Sequence, residues 1–258
     1  GLAVPRTWPE ALAAADSLRR AGLWAALPAI PVDAVCAFLA VCAAFGETPF
    51  VAGQVVTRRT GRSALALLAA FVDRCHPDSL AWNPPALLEH MAAADDVAWC
   101  PLAFGYVNYA RPGFRDHPVL AAAPPAGGDG VPRGTLGGAG LAVSAHSAAV
   151  AEAAAYAAYV ADPEVQRTVY VQGGGQPGHR SAWTDEAVNA ASNGFFRDTL
   201  GTLDAALLRP RHDGFLGFQA AAGDLVHGWL RDGGDPDRVL ADLDAAWRAS
   251  QHQPAGRG

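Results

Sequence analysis

Lysine is absent: all nineteen basic residues among the 258 are arginine. That removes the P-loop lysine, the Schiff-base lysine and the Ser-x-x-Lys nucleophile from consideration. Charge of any kind is scarce, at 17% of residues, and it leans acidic, with nineteen Arg against twenty-five Asp+Glu, a net charge of -6 and a pI near 5.7. Such a chain has no broad basic surface to neutralise a phosphate backbone, so nucleic acid is not an expected partner. Cysteine is limited to Cys36, Cys42, Cys75 and Cys100. There is no C-x-x-C and no His at zinc-finger spacing, so neither a metal site nor a cofactor is expected. Cys36 and Cys42 lie six apart in a helical pattern, where a rise of about 9 Å keeps them from bonding. Whether Cys75 and Cys100 pair is left open. The first residues show no basic-then-apolar secretion pattern, and no uncharged apolar run reaches the ~18 residues of a membrane span. The longest, Ala148 to Val160, carries Glu152.

What the chain has in quantity is apolar side chains, 51% of the total, which excludes intrinsic disorder and allows a real core. Helix signals are frequent. Thr7-Trp8-Pro9-Glu10 reads as a capping box opening a helix to Arg20 with a stop at Gly22. Pro31 and Asp33 open an apolar helix to Phe45 that ends at Gly46, and Ser63 to Arg74, Pro84 to Ala93 and Ala148 to Val160 read as helices. Another is launched by Asp162-Pro163-Glu164 and ends at Gly173–Gly178. Phe215 to Leu230 is closed by Gly233-Gly234, and Asp235-Pro236 caps a last helix whose Leu240, Leu243 and Trp247 share a face. Strands are few: Trp24 to Ala29, Asp96 to Cys100 and Gly140 to Ser144. The pattern is α/β with helices dominating.

The order of these pieces resembles the carbohydrate-type extracellular solute-binding proteins of ABC importers. The resemblance is carried by Pro5-Arg6-Thr7-Trp8-Pro9-Glu10 and by Ala92 to Trp99. It continues through Gly137-Gly138-Ala139-Gly140-Leu141-Ala142-Val143-Ser144 with the Ala-rich helix and Asp162-Pro163-Glu164-Val165-Gln166 that follow, and through Gly174-Gly175-Gln176-Pro177. It implies a periplasmic-binding-protein-like fold of type II, helix-rich, comprising the second lobe and part of the first. Residues 1–135 would be mainly the second lobe, 136–210 a return segment of the first, and 211–258 C-terminal helices. A signal peptide and a first-lobe βαβ segment would be missing ahead of Gly1. The implied function is non-catalytic: binding a sugar or other hydroxyl-rich neutral solute between two lobes and presenting it to permease subunits at the membrane, in an extracytoplasmic location.

Hydroxyls and flat ring faces call for aromatic platforms beside planar bidentate groups. Loop residues of those types are Trp82 and Asn83, then Trp99, Tyr106 and Asn108 leading to Arg111, although ordinary loop packing explains them equally well. Tyr106 and Asn108 share a side if residues 106–109 are extended. Gly137 and Gly138 permit close backbone approach, or simply slack in a crossing segment. Arg180 is either a ligand contact or a solvated arginine. In the resembled family a late helix start brings an aromatic to the ligand, which nominates Phe215 or Phe218, but their i, i+3 spacing equally makes a core face. Asp33 is either an N-cap or a hydroxyl acceptor.

Enzyme signatures are thin. Ser144 and Ser147 flank His146 without a Gly-x-Ser-x-Gly elbow. His90 with Asp95 and Asp96 lacks a partner at metal spacing. The competing readings are a glycoside-acting hydrolase, whose paired carboxylates the sequence does not single out, and a truncated fragment without a ligand.

Overall fold

The computed structural model describes residues 2–51 and 53–251, so Gly1 lies outside the described residues. The chain forms two units: Gly1–Phe104, Ala123–Leu136 and Gly201–Gly258 make the first, Gly105–Ala122 and Gly137–Leu200 the second.

In the first unit, α1 (Trp8–Arg20) starts where Thr7 Oγ1 accepts from Glu10 N, and its last turn leads to Gly22 at φ +77°. The reciprocal half of the capping box is displaced by one residue, for Glu10 Oε2 accepts from Arg6 N at 2.7 Å. Then come β1 (Trp24–Ala25), α2 (Pro31–Ala44), α3 (Arg58–Val72), a 3-10 turn at Pro77–Ala81, α4 (Pro84–Ala93) and β2 (Val97–Trp99). Every residue of α2 from Asp33 to Ala44 is buried, which makes it the central helix.

β1 and β2 pair in parallel, Trp24 with Val97 and Ala25 with Trp99, and Cys75 bridges Ala25 on the other side. The strand expected over Trp24 to Ala29 stops after Ala25. Beyond it the backbone is satisfied differently: Leu27 N donates to Ser79 Oγ at 3.3 Å, and Ala29 N donates to the Ser79 and Trp82 carbonyls. A turn thus replaces the ladder.

In the second unit, a 3-10 turn at Val107–Ala110 precedes α5 (Val150–Ala161), α6 (Pro163–Val165) with a π turn at Gln166–Tyr170, α7 (Arg180–Trp183) and α8 (Glu186–Ala190). Asp162 launches α6 by accepting from Glu164 N and Val165 N. The strand expected over Gly140 to Ser144 does not form; residues 137–142 are exposed and find no ladder partner among the described residues. Ala182, Trp183, Val188, Phe195 and Phe196 are buried, whereas α5 buries no residue.

α9 (Phe195–Asp204) carries the chain back into the first unit, which finishes with α10 (Phe215–Asp232) and α11 (Pro236–Ser250). α10 packs on α2, and the close approach depends on Gly223, where an added Cβ would lie 2.6 Å from the Pro31 carbonyl oxygen. Leu240, Leu243 and Trp247 of α11 are all buried. Phe50 joins Phe215, Phe218 and Trp247 in an aromatic group, with the Phe50 and Trp247 centroids 4.6 Å apart. All four cysteines are free, Cys75 and Cys100 included. No described helix is long and apolar enough to cross a membrane.

Candidate functional site

The first unit gathers a polar group around the start of α2. Ile30 occupies the N-cap position, so Asp33 is not a cap; it sits in the first helical turn and is 8% exposed. Burial raises its carboxyl pKa from 3.8 to about 6. One turn on, the Cys36 carbonyl accepts from Thr135 Oγ1 at 3.0 Å. Arg209 joins Cys36 to Gln219 and Leu136: Nη1 donates to Gln219 Oε1 at 2.7 Å and faces Cys36 Sγ at 3.8 Å, Nη2 donates to the Leu136 carbonyl at 3.2 Å, and the guanidinium lies 5.8 Å from the Phe104 ring. Burial pushes the Cys36 thiol up to about 11, Arg209 opposing and Asp33 adding, so it is a neutral packing group and no nucleophile. A carboxylate, a planar amide and a guanidinium beside an aromatic face are the groups a hydroxylated ring engages.

A second polar group belongs to the second unit. Residues 107–110 are a 3-10 turn, so the alternation that would align Tyr106 with Asn108 does not apply: Val107 is buried, Tyr106 is 45% exposed and Asn108 is half-buried. Val107 N donates to Gln176 Oε1 at 3.0 Å, and Arg111 Nη2 to the Gly175 carbonyl at 3.3 Å. Arg111 Nε is buried without a partner, and burial lowers the guanidinium pKa. Gly174, at φ +91°, lets the loop turn beside Asn108, whose Oδ1 is 3.8 Å from the position of an added Cβ. The loop is pinned by Gln166, whose Oε1 accepts from Gly178 N at 2.7 Å, and by Trp183 Nε1 donating to the Pro177 carbonyl.

The remaining candidates fall elsewhere. Trp82 stacks on His76 with centroids 4.7 Å apart, and Asn83 Oδ1 accepts from Ala86 N to cap α4. Trp99 ends β2 with its ring edge-to-face on Phe71 against the core. Phe215 and Phe218 are 6% and 3% exposed, so the core-face alternative is the observed one and neither offers a free ring. Gly137 and Gly138 are exposed in an irregular segment, and Arg180 is exposed at the start of α7. The chain thus brings Tyr106 and Asn108 into one group and Asp33 into another. The companions Thr135, Arg209 and Gln219 were not singled out from sequence; the available signal was polar planar residues flanking an apolar helix start.

No protein-family model matches the sequence, and no curated protein does. Solved structures do. Maltose-bound MalE3 of T. maritima superposes with a TM-score of 0.79 at 19% identity, over 96% of this chain and 66% of the other. An ABC transporter solute-binding protein of Agrobacterium radiobacter K84 in complex with ribitol gives 0.78 at 16%, over 96% and 65%. The GacH receptor of Streptomyces glaucescens, solved unliganded and with acarbose, gives 0.71 at 20%, over 97% and 65%. This chain therefore spans about two thirds of the length of each of these structures. Over almost its entire length it has the periplasmic-binding-protein-like fold of ABC solute-binding proteins.

Proposed function

We propose that the chain is a non-catalytic solute-binding component of an ABC importer, working outside the cytoplasm, that takes a sugar or other hydroxyl-rich neutral solute and hands it to permease subunits. The observation carrying this reading is the fold shared over 96% of the chain with structures solved around maltose and ribitol. Two features of its own residues support it. Asp33, Arg209 and Gln219 combine opposite charges with a planar amide, a set suited to a neutral polyol. Tyr106 is an exposed ring on a turn whose neighbours are Asn108 and Arg111.

The test is thermal unfolding with maltose, raffinose and ribitol on one side and phosphate, sulfate and amino acids on the other, with chromatography of the recovered sugar. The melting temperature is expected to rise with at least one neutral solute, which comes back uncleaved. Stabilisation by charged solutes alone, or turnover abolished by a single carboxylate substitution, contradicts it; the latter result would make the chain a glycoside-acting hydrolase.

A further inference from the structure

Three residues from separate parts of the first unit converge outside the polar group described above. His76 follows Cys75, its backbone N–H donating to the Ala25 carbonyl at 2.9 Å. His90 stands in the last turn of α4. Asp96 immediately precedes β2, where its carbonyl accepts from Trp24 N at 2.7 Å. The Asp96 carboxylate lies between the two imidazoles, Oδ1 at 2.7 Å from His90 Nε2 and Oδ2 at 3.4 Å from His76 Nε2. One ligating atom from each of the three falls within 4.8 Å of the others.

The frame around them is rigid and apolar. The Trp82 indole stacks on His76 and tilts against His90, each at 4.7 Å, and Trp24 meets His76 edge-on at 5.9 Å. The rings are therefore fixed in direction, while side-chain exposures of 14%, 29% and 41% for His76, His90 and Asp96 leave a path for solvent.

We propose that His76 Nε2, His90 Nε2 and the Asp96 carboxylate form a binding site for a divalent cation of the zinc class, with water in the remaining position. Two imidazoles and a carboxylate suit zinc and its late first-row neighbours, and not magnesium or calcium, which take oxygen donors. Zinc–ligand bonds of about 2.0–2.1 Å at tetrahedral angles set the ligand atoms about 3.4 Å apart. The His76–Asp96 separation of 3.4 Å already has that value and the His90–Asp96 separation of 2.7 Å is shorter, so side-chain movements suffice. Ligation through Nε2 places the imidazole proton on Nδ1. At His76 that nitrogen now accepts from Asp78 N at 3.2 Å, with the Asp78 carboxylate 3.9 Å away, ready to receive the proton's hydrogen bond once the cation is in place. The cation joins the turn after Cys75, the end of α4 and the start of β2.

The experiment uses the chain, free of any affinity tag and stripped with chelator, titrated calorimetrically with zinc, nickel and, as controls, magnesium and calcium. The site expects one equivalent of zinc bound at micromolar concentrations, a higher melting temperature with zinc, and no response to magnesium or calcium. His90→Gln and His76→Gln should each weaken zinc by about tenfold or more, while His179→Gln, in the second unit, leaves it unchanged. Should a variant fold poorly, cobalt absorption and the imidazole NMR signals of the parent give an independent reading, with only His76 and His90 shifting at the first equivalent. The proposal is overturned by an absence of stoichiometric zinc binding, or by zinc binding undiminished in the His76→Gln/His90→Gln double variant.

Discussion

Asp33 carries a cost that its burial makes measurable. Its folded-state pKa of about 6 lies above the ordinary 3.8. Between those values the folded chain holds more protons than the unfolded one, so this residue's contribution lowers stability as pH rises from 4 to 6, and the full deficit remains above 6. Asp33→Asn should therefore stabilise the chain at pH 7.5 by roughly 1–3 kcal/mol and leave it nearly unchanged at pH 4, as read by denaturant unfolding at both values. An equal gain at both pH values would mean that the carboxylate is not desolvated. Asp33 is also among the residues proposed to meet the solute, so the same substitution should weaken solute binding. Tyr106 is the complementary case. Exposed at 45%, it contributes little to the core, so Tyr106→Ala should leave the melting temperature in place and weaken sugar binding by about tenfold or more. Trp229, half-buried against the core with Nε1 donating to the Gly234 carbonyl, should do the reverse as Trp229→Phe.

At the scale of elements, α10 on α2 is the packing on which the first unit depends. Gly223→Ala would drive a methyl carbon to 2.6 Å from the Pro31 carbonyl oxygen, and the backbone cannot yield cheaply there. A loss of about 1–3 kcal/mol is expected in thermal unfolding; a neutral result would show that the helices stand further apart than described. Helix starts were legible where a capping aspartate stands directly before proline, as Asp162 before Pro163 and Asp235 before Pro236, because the signal and the bond it makes are local. Thr57 caps α3 at Arg58 without a proline beside it, and the sequence pattern placed that start only at Ser63; Asn83, read as a ligand candidate, is the cap of α4. Strands were legible only in part. The run from Trp24 to Ala29 is apolar enough for a strand, but its pairing depends on what the Ser79–Trp82 backbone does fifty residues later. The Gly140 to Ser144 stretch has strand composition and no partner to pair with among the described residues. The polar groups were harder still. Cys36 and Thr135 are far in sequence from each other and from Arg209 and Gln219, and the group meets only through tertiary packing. His90 and Asp96 were visible as neighbours, whereas His76 joins them through the pairing of Cys75 with Ala25.

For the molecule as a whole, the α/β, helix-rich character and the solute-binding-protein fold were readable from the order of elements, and the superpositions with TM-scores of 0.71 to 0.79 show that fold. The second unit has a distinctive surface: α5 buries none of its residues, with Tyr156 63% and Tyr159 51% exposed, and Leu141 and Val169 are exposed as well. Apolar surface of this kind binds hydrophobic dyes. The chain should enhance the fluorescence of 8-anilinonaphthalene-1-sulfonate in its folded state, and Tyr156→Glu with Tyr159→Glu should reduce that signal without lowering the melting temperature. A folded parent with no dye response would contradict the exposed face. Calorimetric titration of maltose, raffinose and ribitol at pH 7.5 into the parent, Asp33→Asn and Tyr106→Ala tests the proposal that the chain holds a hydroxyl-rich neutral solute without transforming it. Saturable binding of at least one of them by the parent is expected, weakened in both variants, with the solute recovered intact; no binding by a folded parent, or affinity unchanged in both variants, would overturn the proposal.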